Sequence, residues 1–484
     1  MISHRIVLVA LLCLAWILPG LIGHDPWKPD EAYSFGVVYE IVQGGSWVVP
    51  HLAGEPFMEK PPLFYLSAAA SAWLFSPLLP LHDGARLASG FYMALTFVFC
   101  GLAGRELYGK NFGAVSALLL LGCLGLVVRS HQLITDVALL AGFAAAFYGL
   151  ALGLRRPALG GFWLGTGVGA GFMAKGLIAP GMLGIVAFAA PLLFRAWRTR
   201  SHLLSLAIAA VVALPWLLIW PLALYQSSPP LFDEWLWVNN LGRFIGANDL
   251  GPPADSAHYL HILPWYGFPA LPIALWTLWD ARATGYAKPG IQLPLLGFAV
   301  ILGVLSAASD ARELYALPLL VPLALLATPA VNTLRRGAAN AWLWFSAMGF
   351  TFFVIVAWFY WVALELGIPE RLHLHLHTIQ PGYPPGFKLL PFALGVAYTL
   401  AWIAIVAGPK RNPQRPVFVW AGGMTAVWGL IAILFVGWVD AGKSYRSMIG
   451  SMQQAMPAQY RCVSSRNLGE PQRAMLHYFA GVIT

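Results

Sequence analysis

Two acids, Asp30 and Glu31, open the run P-D-E-A-Y-S-F just beyond the first apolar stretch. A carboxylate at the head of a helix is kept ionised by the helix's positive end and can take a proton from an attacking hydroxyl; without context, the same acid is a helix cap. Downstream, Glu59-Lys60-Pro61-Pro62 closes the segment, with two prolines that fix the backbone and start the next helix, leaving Lys60 rigid at a membrane surface. The competing reading of Lys60 is a snorkelling interfacial lysine. Asp136 (R-S-H-Q-L-I-T-D-V-A-L) and Lys175 (G-F-M-A-K-G) lie at the same end of two apolar runs. A lone ionised acid at that depth costs roughly 2.5–3.5 kcal/mol, so the pair implies either a structural ion pair or a polar cavity opening outward. Arg243 can grip a phosphate with its fork, and Tyr315, in E-L-Y-A-L-P, stands where belt tyrosines also stand. His258 closes the loop that carries Arg243, while R-L-H-L-H-L-H-T puts His373, His375 and His377 on one face if extended. Acids plus clustered cations make a chemistry of proton removal and phosphate departure.

The elements that must hold these residues are membrane helices. Of 484 residues, 59% are hydrophobic and 10% charged, against about 25% charged in soluble domains. Apolar runs near the ~20 residues that cross a bilayer recur. They predict thirteen spans near 5–23, 84–104, 112–128, 137–154, 160–175, 177–194, 203–222, 262–279, 291–308, 314–330, 341–363, 388–407 and 417–438. An odd count puts the termini on opposite sides. One set of loops carries fifteen Lys and Arg, including Arg5, Arg155, Arg156, Arg195, Arg198, Arg200, Lys410, Arg411 and Arg415, and the other carries eight. The richer set belongs in the cytoplasm, so the N-terminus is expected inside, the C-terminus outside, and the first run is read as an uncleaved span. Three long outer segments, roughly 24–83, 223–261 and 364–387, then hold the chemistry. The first contains E-A-Y-S-F-G-V-V-Y-E-I-V and P-P-L-F-Y-L-S-A-A-A-S-A-W-L-F, expected as helices lying along the outer face. Residues 1–438 make one transmembrane domain. Residues 439–484 form a short tail or partial cap, ending in a strand-like H-Y-F-A-G-V-I-T.

The net charge of +9 comes with no basic-aromatic stripe, which argues against nucleic acid. The four cysteines form no disulfide framework or CxxC pair. Six glycines between Gly160 and Gly171 lie within a span, where close helix packing is the natural reading over a nucleotide loop.

The stretch P-D-E-A with G-G-S-W-V-V-P-H-L-A-G-E-P-F-M-E-K-P-P-L-F-Y at 29–65, followed in order by D-V-A-L, A-K-G and E-L-Y-A-L-P, resembles the GT-C membrane glycosyltransferases. The branch is that of aminoarabinose lipid A transferases and protein O-mannosyltransferases. The resemblance implies an all-α polytopic GT-C fold, with Asp30 and Asp136 as the family acids and Glu31 beside the first. It also implies Glu59-Lys60 as the family's Glu-Lys pair. A divalent metal seen in some relatives would implicate Glu59 and His258; otherwise no cofactor is required. Lys60, Lys175, Arg243 and Tyr315 would bind the phosphate of a polyprenyl-phosphate sugar. The expected activity is inverting sugar transfer, at the periplasmic face of the bacterial inner membrane, to a lipid A-type, glycan or protein hydroxyl acceptor by a monomer surrounded by lipid. A flippase for lipid-linked sugars and a non-catalytic scaffold are the alternatives; the first lacks paired repeats, the second leaves the acids and bases unexplained.

Overall fold

The computed structural model describes residues 4–247, 255, 257–408, 412–457, 459–460 and 462–484. Lys410, Arg411 and the side chain of Arg5, counted above for topology, lie outside what is described.

Helices build the architecture. Among the described residues, eight are long and apolar enough to span a bilayer: Leu81–Tyr108, Asp136–Gly153, Arg200–Ser227, Pro289–Ala307, Glu313–Thr333, Arg336–Leu366, Leu389–Ala407 and Arg415–Leu434. A ninth arises if Gly113–Leu121 and Leu124–His131, bent by 66°, form one broken span. The remaining expected spans are helical but shorter, broken or less apolar. His4–Ile17 and Ile178–Leu193 are short, and Pro157–Lys175 is diluted by its glycines. The run 262–279 breaks between His258–Tyr266 and Ala270–Thr284, around Gly267 and Pro269.

Asp136–Gly153 is the central strut, with every residue buried except Tyr148. It packs against Pro157–Lys175 through small residues: a Cβ added at Gly160 would sit 2.3 Å from the Gly153 Cα, and one at Gly167 would sit 2.5 Å from the Gly142 carbonyl. Close backbone approach is what such residues permit in a membrane, where apolar burial alone does not drive helices together. His4–Ile17 is knitted into the bundle. Trp16 is fully buried with its ring 5.4 Å from Phe97, and Tyr398 donates to the Ala15 carbonyl at 2.6 Å.

The first outer segment holds Asp30–Val42 and Leu63–Phe75, joined through a two-strand hairpin, His51–Leu52 with Glu55–Pro56. Its turn places Ala53 at φ 49° and Gly54 at φ 84°, a left-handed pair that reverses the chain tightly and delivers Glu59 and Lys60. Two expectations of extended chain are corrected. H-Y-F-A continues the helix Glu470–Ala480, and the three histidines lie on the helix Glu370–Ile379. There the His373 and His377 rings meet edge to face, 4.9 Å apart, as i, i+4 neighbours, and a strand face does not exist.

The segment after 435 folds back over the first outer segment. Arg446 donates to Asp25 at 2.8 and 2.5 Å, and Trp27 Nε1 donates to Asp440 at 2.8 Å. Arg473 pairs with Glu55 at 2.6 Å, and Ala474 packs against Gly36, where a Cβ would meet it at 2.5 Å.

Candidate active site

A cavity of about 360 Å³ lies between Asp136–Gly153, Ile178–Leu193 and Pro289–Ala307. Its walls are apolar, with Leu139, Phe143, Met182, Ile185 and Val304, and its polar end gathers Glu59, Lys60, Lys175, Arg243, Asp310 and Tyr315.

Each cation there is fixed by a different element. Lys175 ends Pro157–Lys175, contacts Asp136 at the start of the central strut, and lies 3.8 Å from the centre of the Tyr315 ring. Gly176, at φ +75°, ends that helix sharply, and Asn240 Oδ1 accepts the Leu177 N–H at 3.2 Å. This ties the Lys175 turn to Glu234–Gly242, a π-helix that leads into Arg243. Arg243 donates from Nε (3.0 Å) and Nη2 (2.9 Å) to Asp310 Oδ2, and from Nη2 to the Tyr315 hydroxyl at 3.2 Å. Its Nη1 stands 3.8 Å from Glu59. Ser309 donates to the Arg243 carbonyl at 2.7 Å, so the loop before Glu313–Leu319 holds both the backbone and the fork. Lys60 donates to the Tyr33 hydroxyl at 2.9 Å. Burial works against its ammonium, but the pull of Tyr33, Tyr65, Glu59 and Asp136 outweighs that and holds its pKa well above the ordinary range.

Asp30 does not line the cavity. It lies on Asp30–Val42 one turn before Tyr33, with its carboxylate 15% exposed and Arg129 Nη1 3.7 Å away. Since i and i+3 share a helix face, Asp30 stands beside the Tyr33–Lys60 link. Glu31 points the other way into a buried network. It accepts from Arg86 Nε at 2.9 Å and from the Leu133 N–H at 2.9 Å, and Arg86 also donates to Asp83 at 2.8 Å. Arg86 and Leu133's amide hold the Glu31 carboxyl below the usual range although burial pushes the other way. Glu31 thus anchors the helix that presents Asp30 and offers no free oxygen to a substrate.

For a divalent metal, Glu59 and His258 were the expected ligands. Glu59 faces Arg243 and adjoins Lys60, whereas His258 does not line the cavity, and its Nε2 is buried without a partner. Among the described residues no three His, Cys, Asp or Glu side chains gather. Glu59, with Arg243 and Lys60 beside it and His258 outside the cavity, does not form with that histidine a donor set that fits a divalent ion.

The sequence reading did not single out Asp310, Tyr33, Asn240, Arg129 or Arg86. Arg86 is fully buried, where it is held by Glu31 and Asp83. S-D-A-R-E marks Asp310 only as a loop acid; nothing local shows that it receives an arginine 67 residues away.

Residues 59–220 match the dolichyl-phosphate-mannose–protein mannosyltransferase family. The chain is 26% identical over 456 residues to the undecaprenyl phosphate-alpha-4-amino-4-deoxy-L-arabinose arabinosyl transferase of Serratia proteamaculans, covering 90% of this chain and 76% of that one. The Edwardsiella ictaluri protein of the same description is 31% identical over 69% of this chain and 60% of its own. The crystal structure of ArnT from Cupriavidus metallidurans bound to undecaprenyl phosphate superposes with a TM-score of 0.72 at 18% identity, over 99% of this chain and 85% of that one. The archaeal oligosaccharyltransferase of Archaeoglobus fulgidus follows at 0.50 and 11% identity, over 94% and 58%. The fold and the multi-pass helices resemble those of these relatives, and together the comparisons support a GT-C membrane glycosyltransferase of the aminoarabinose transferase type.

Proposed function

We propose that the protein transfers a sugar from polyprenyl phosphate to an acceptor at the periplasmic face of the inner membrane. The observation that carries this is the cavity: apolar along its length and cationic at one end, it fits a prenyl chain and its phosphate. The sugar of the named relatives, 4-amino-4-deoxy-L-arabinose on undecaprenyl phosphate, is the donor we assign. A lipid A-type surface is the favoured acceptor, with glycan and protein hydroxyls as alternatives. The named relatives are all transferases, which favours transfer over flipping.

We assign the roles from the resemblance together with the contacts described above. Arg243 offers Nη1, Lys60 and Lys175 offer ammonium groups, and Tyr315 supplies a hydroxyl to the phosphate oxygens. As the bond from the anomeric carbon to the phosphate oxygen breaks, the electron pair passes to the phosphate, where these fixed donors meet the growing charge. Asp30 takes the acceptor proton as the new carbon–oxygen bond forms. Attack opposite the departing phosphate inverts the anomeric carbon. Asp136 positions Lys175. The donor brings its own leaving group, so no cofactor is called for. The N-terminus lies in the cytoplasm and the C-terminus in the periplasm, residues 1–438 form the membrane domain and 439–484 its outer cap, and the protein acts as a monomer.

Asp30→Asn, reconstituted with polyprenyl-phosphate aminoarabinose and lipid A, is expected to lose transfer at least a thousandfold while melting like wild type. Retained activity removes Asp30 as the base.

A further inference from the structure

The polar end of the cavity holds more acid than a phosphate wants. Lys175 contacts Asp136, and Arg243 gives two donors to Asp310, so these two carboxylates are spoken for. Glu59 is not: its only ion pair among the described residues is the 3.8 Å approach of Arg243 Nη1, and its side chain is 33% exposed.

Glu470 joins it from the far end of the chain. It is the first residue of Glu470–Ala480, a helix held on the first outer segment by Arg473 on Glu55 at 2.6 Å, His477 on Glu40 at 3.3 Å, and Tyr478 with His82 at 3.0 Å. Arg473 is one turn after Glu470, so the two share a helix face, and Arg473 pairs with Glu55, four residues before Glu59. It is partly buried and, among the described residues, has no hydrogen bond or ion pair of its own. Glu59, Lys60, Arg473 and Arg243 are the charged groups that act on it. Burial and the Glu59 charge push its carboxyl pKa up.

Two loosely held carboxylates beside a phosphate clamp weaken the binding of a phosphate alone. They suit a ligand that carries a positive charge a few ångströms from its phosphate. Building on the donor reading above, we infer that Glu470 and Glu59 form a subsite that receives the ammonium of an amino sugar, making the C-terminal helix a specificity element of the donor site. The ammonium has three donors for two carboxylates, and its charge lifts the repulsion between them.

The test uses the full chain in proteoliposomes with two polyprenyl-phosphate donors, one carrying 4-amino-4-deoxypentose and one with a hydroxyl in place of the amine. Wild type is expected to prefer the amine. In Glu470→Gln the ratio of kcat/KM, amine over hydroxyl, is expected to fall at least tenfold, mainly through KM, and Glu470→Asp should recover part of it. Plain polyprenyl phosphate, which carries no amine, should bind Glu470→Gln as tightly as wild type or more tightly, because an anion near the phosphate is gone. A merely structural role would instead weaken both. A ratio within twofold of wild type, or weaker binding of plain polyprenyl phosphate, overturns the proposal. A wild type that uses both donors equally removes the subsite and leaves the transferase standing; one that uses neither removes the donor reading and the subsite with it.

Discussion

Arg243→Ala is expected to damage activity and stability for separable reasons. The side chain makes two hydrogen bonds to Asp310, which is 7% exposed, and one to Tyr315. Removing it leaves Asp310 buried and uncompensated, worth roughly 3–5 kcal/mol of stability. It also deletes a donor to the phosphate at the moment charge develops, worth about 2.7–4 kcal/mol, or ~10²–10³ in kcat. Adding Asp310→Asn removes the orphan charge. The double variant is therefore expected to regain much of the stability, read by thermal unfolding in detergent, and none of the activity, read by mass analysis of modified lipid A in proteoliposomes. Two results would refute the reasoning: Arg243→Ala within threefold of wild-type kcat/KM, or recovery of transfer in the double variant.

Two further predictions rest on the C-terminal segment. Cys462 is exposed, whereas Cys100 and Cys123 are buried and Cys13 partly so. A membrane-impermeant maleimide should accordingly label intact spheroplasts at Cys462 and not in Cys462→Ser, and labelling only after lysis would reverse the assigned orientation. Asp25 is clasped by Arg446 and Ser444; burial opposes its charge, but these hydrogen bonds prevail and hold its pKa below the usual range. A depressed carboxylate stabilises above its unfolded pKa of about 3.9 and loses that contribution as pH falls through the lower folded value. Hydrogen exchange over 436–455 should thus rise only below about pH 4, while Arg446→Ala raises it at neutral pH; unchanged exchange in that variant contradicts the clasp.

Much of this was legible because membrane helices are written in local composition. The long apolar runs became helices, and their ends and loops carried Lys60, Lys175, Arg243 and Tyr315 to one cavity. Breaks were less legible. The 66° bend after Leu121 and the interruption near Gly267 lie inside runs whose hydropathy is continuous. H-Y-F-A has strand-like composition, but its helix is fixed by packing on Asp30–Val42, a tertiary contact that outweighs weak propensity. Asp310, Tyr33 and Glu470 stayed unremarked because each matters only through partners distant in the chain, and an isolated acid or tyrosine carries no mark of that partner. Glu31 shows the opposite failure: adjacency to Asp30 suggested a shared task, but a helix turns successive residues about 100° apart, and Glu31 faces Arg86 instead.

The clasp between Asp25 and Arg446 joins positions 421 residues apart. During synthesis the segment that carries Asp25 is therefore made long before the helices that clasp it. Until translation has run through Glu470–Ala480, the helix Asp30–Val42 lacks the partner that packs against Gly36.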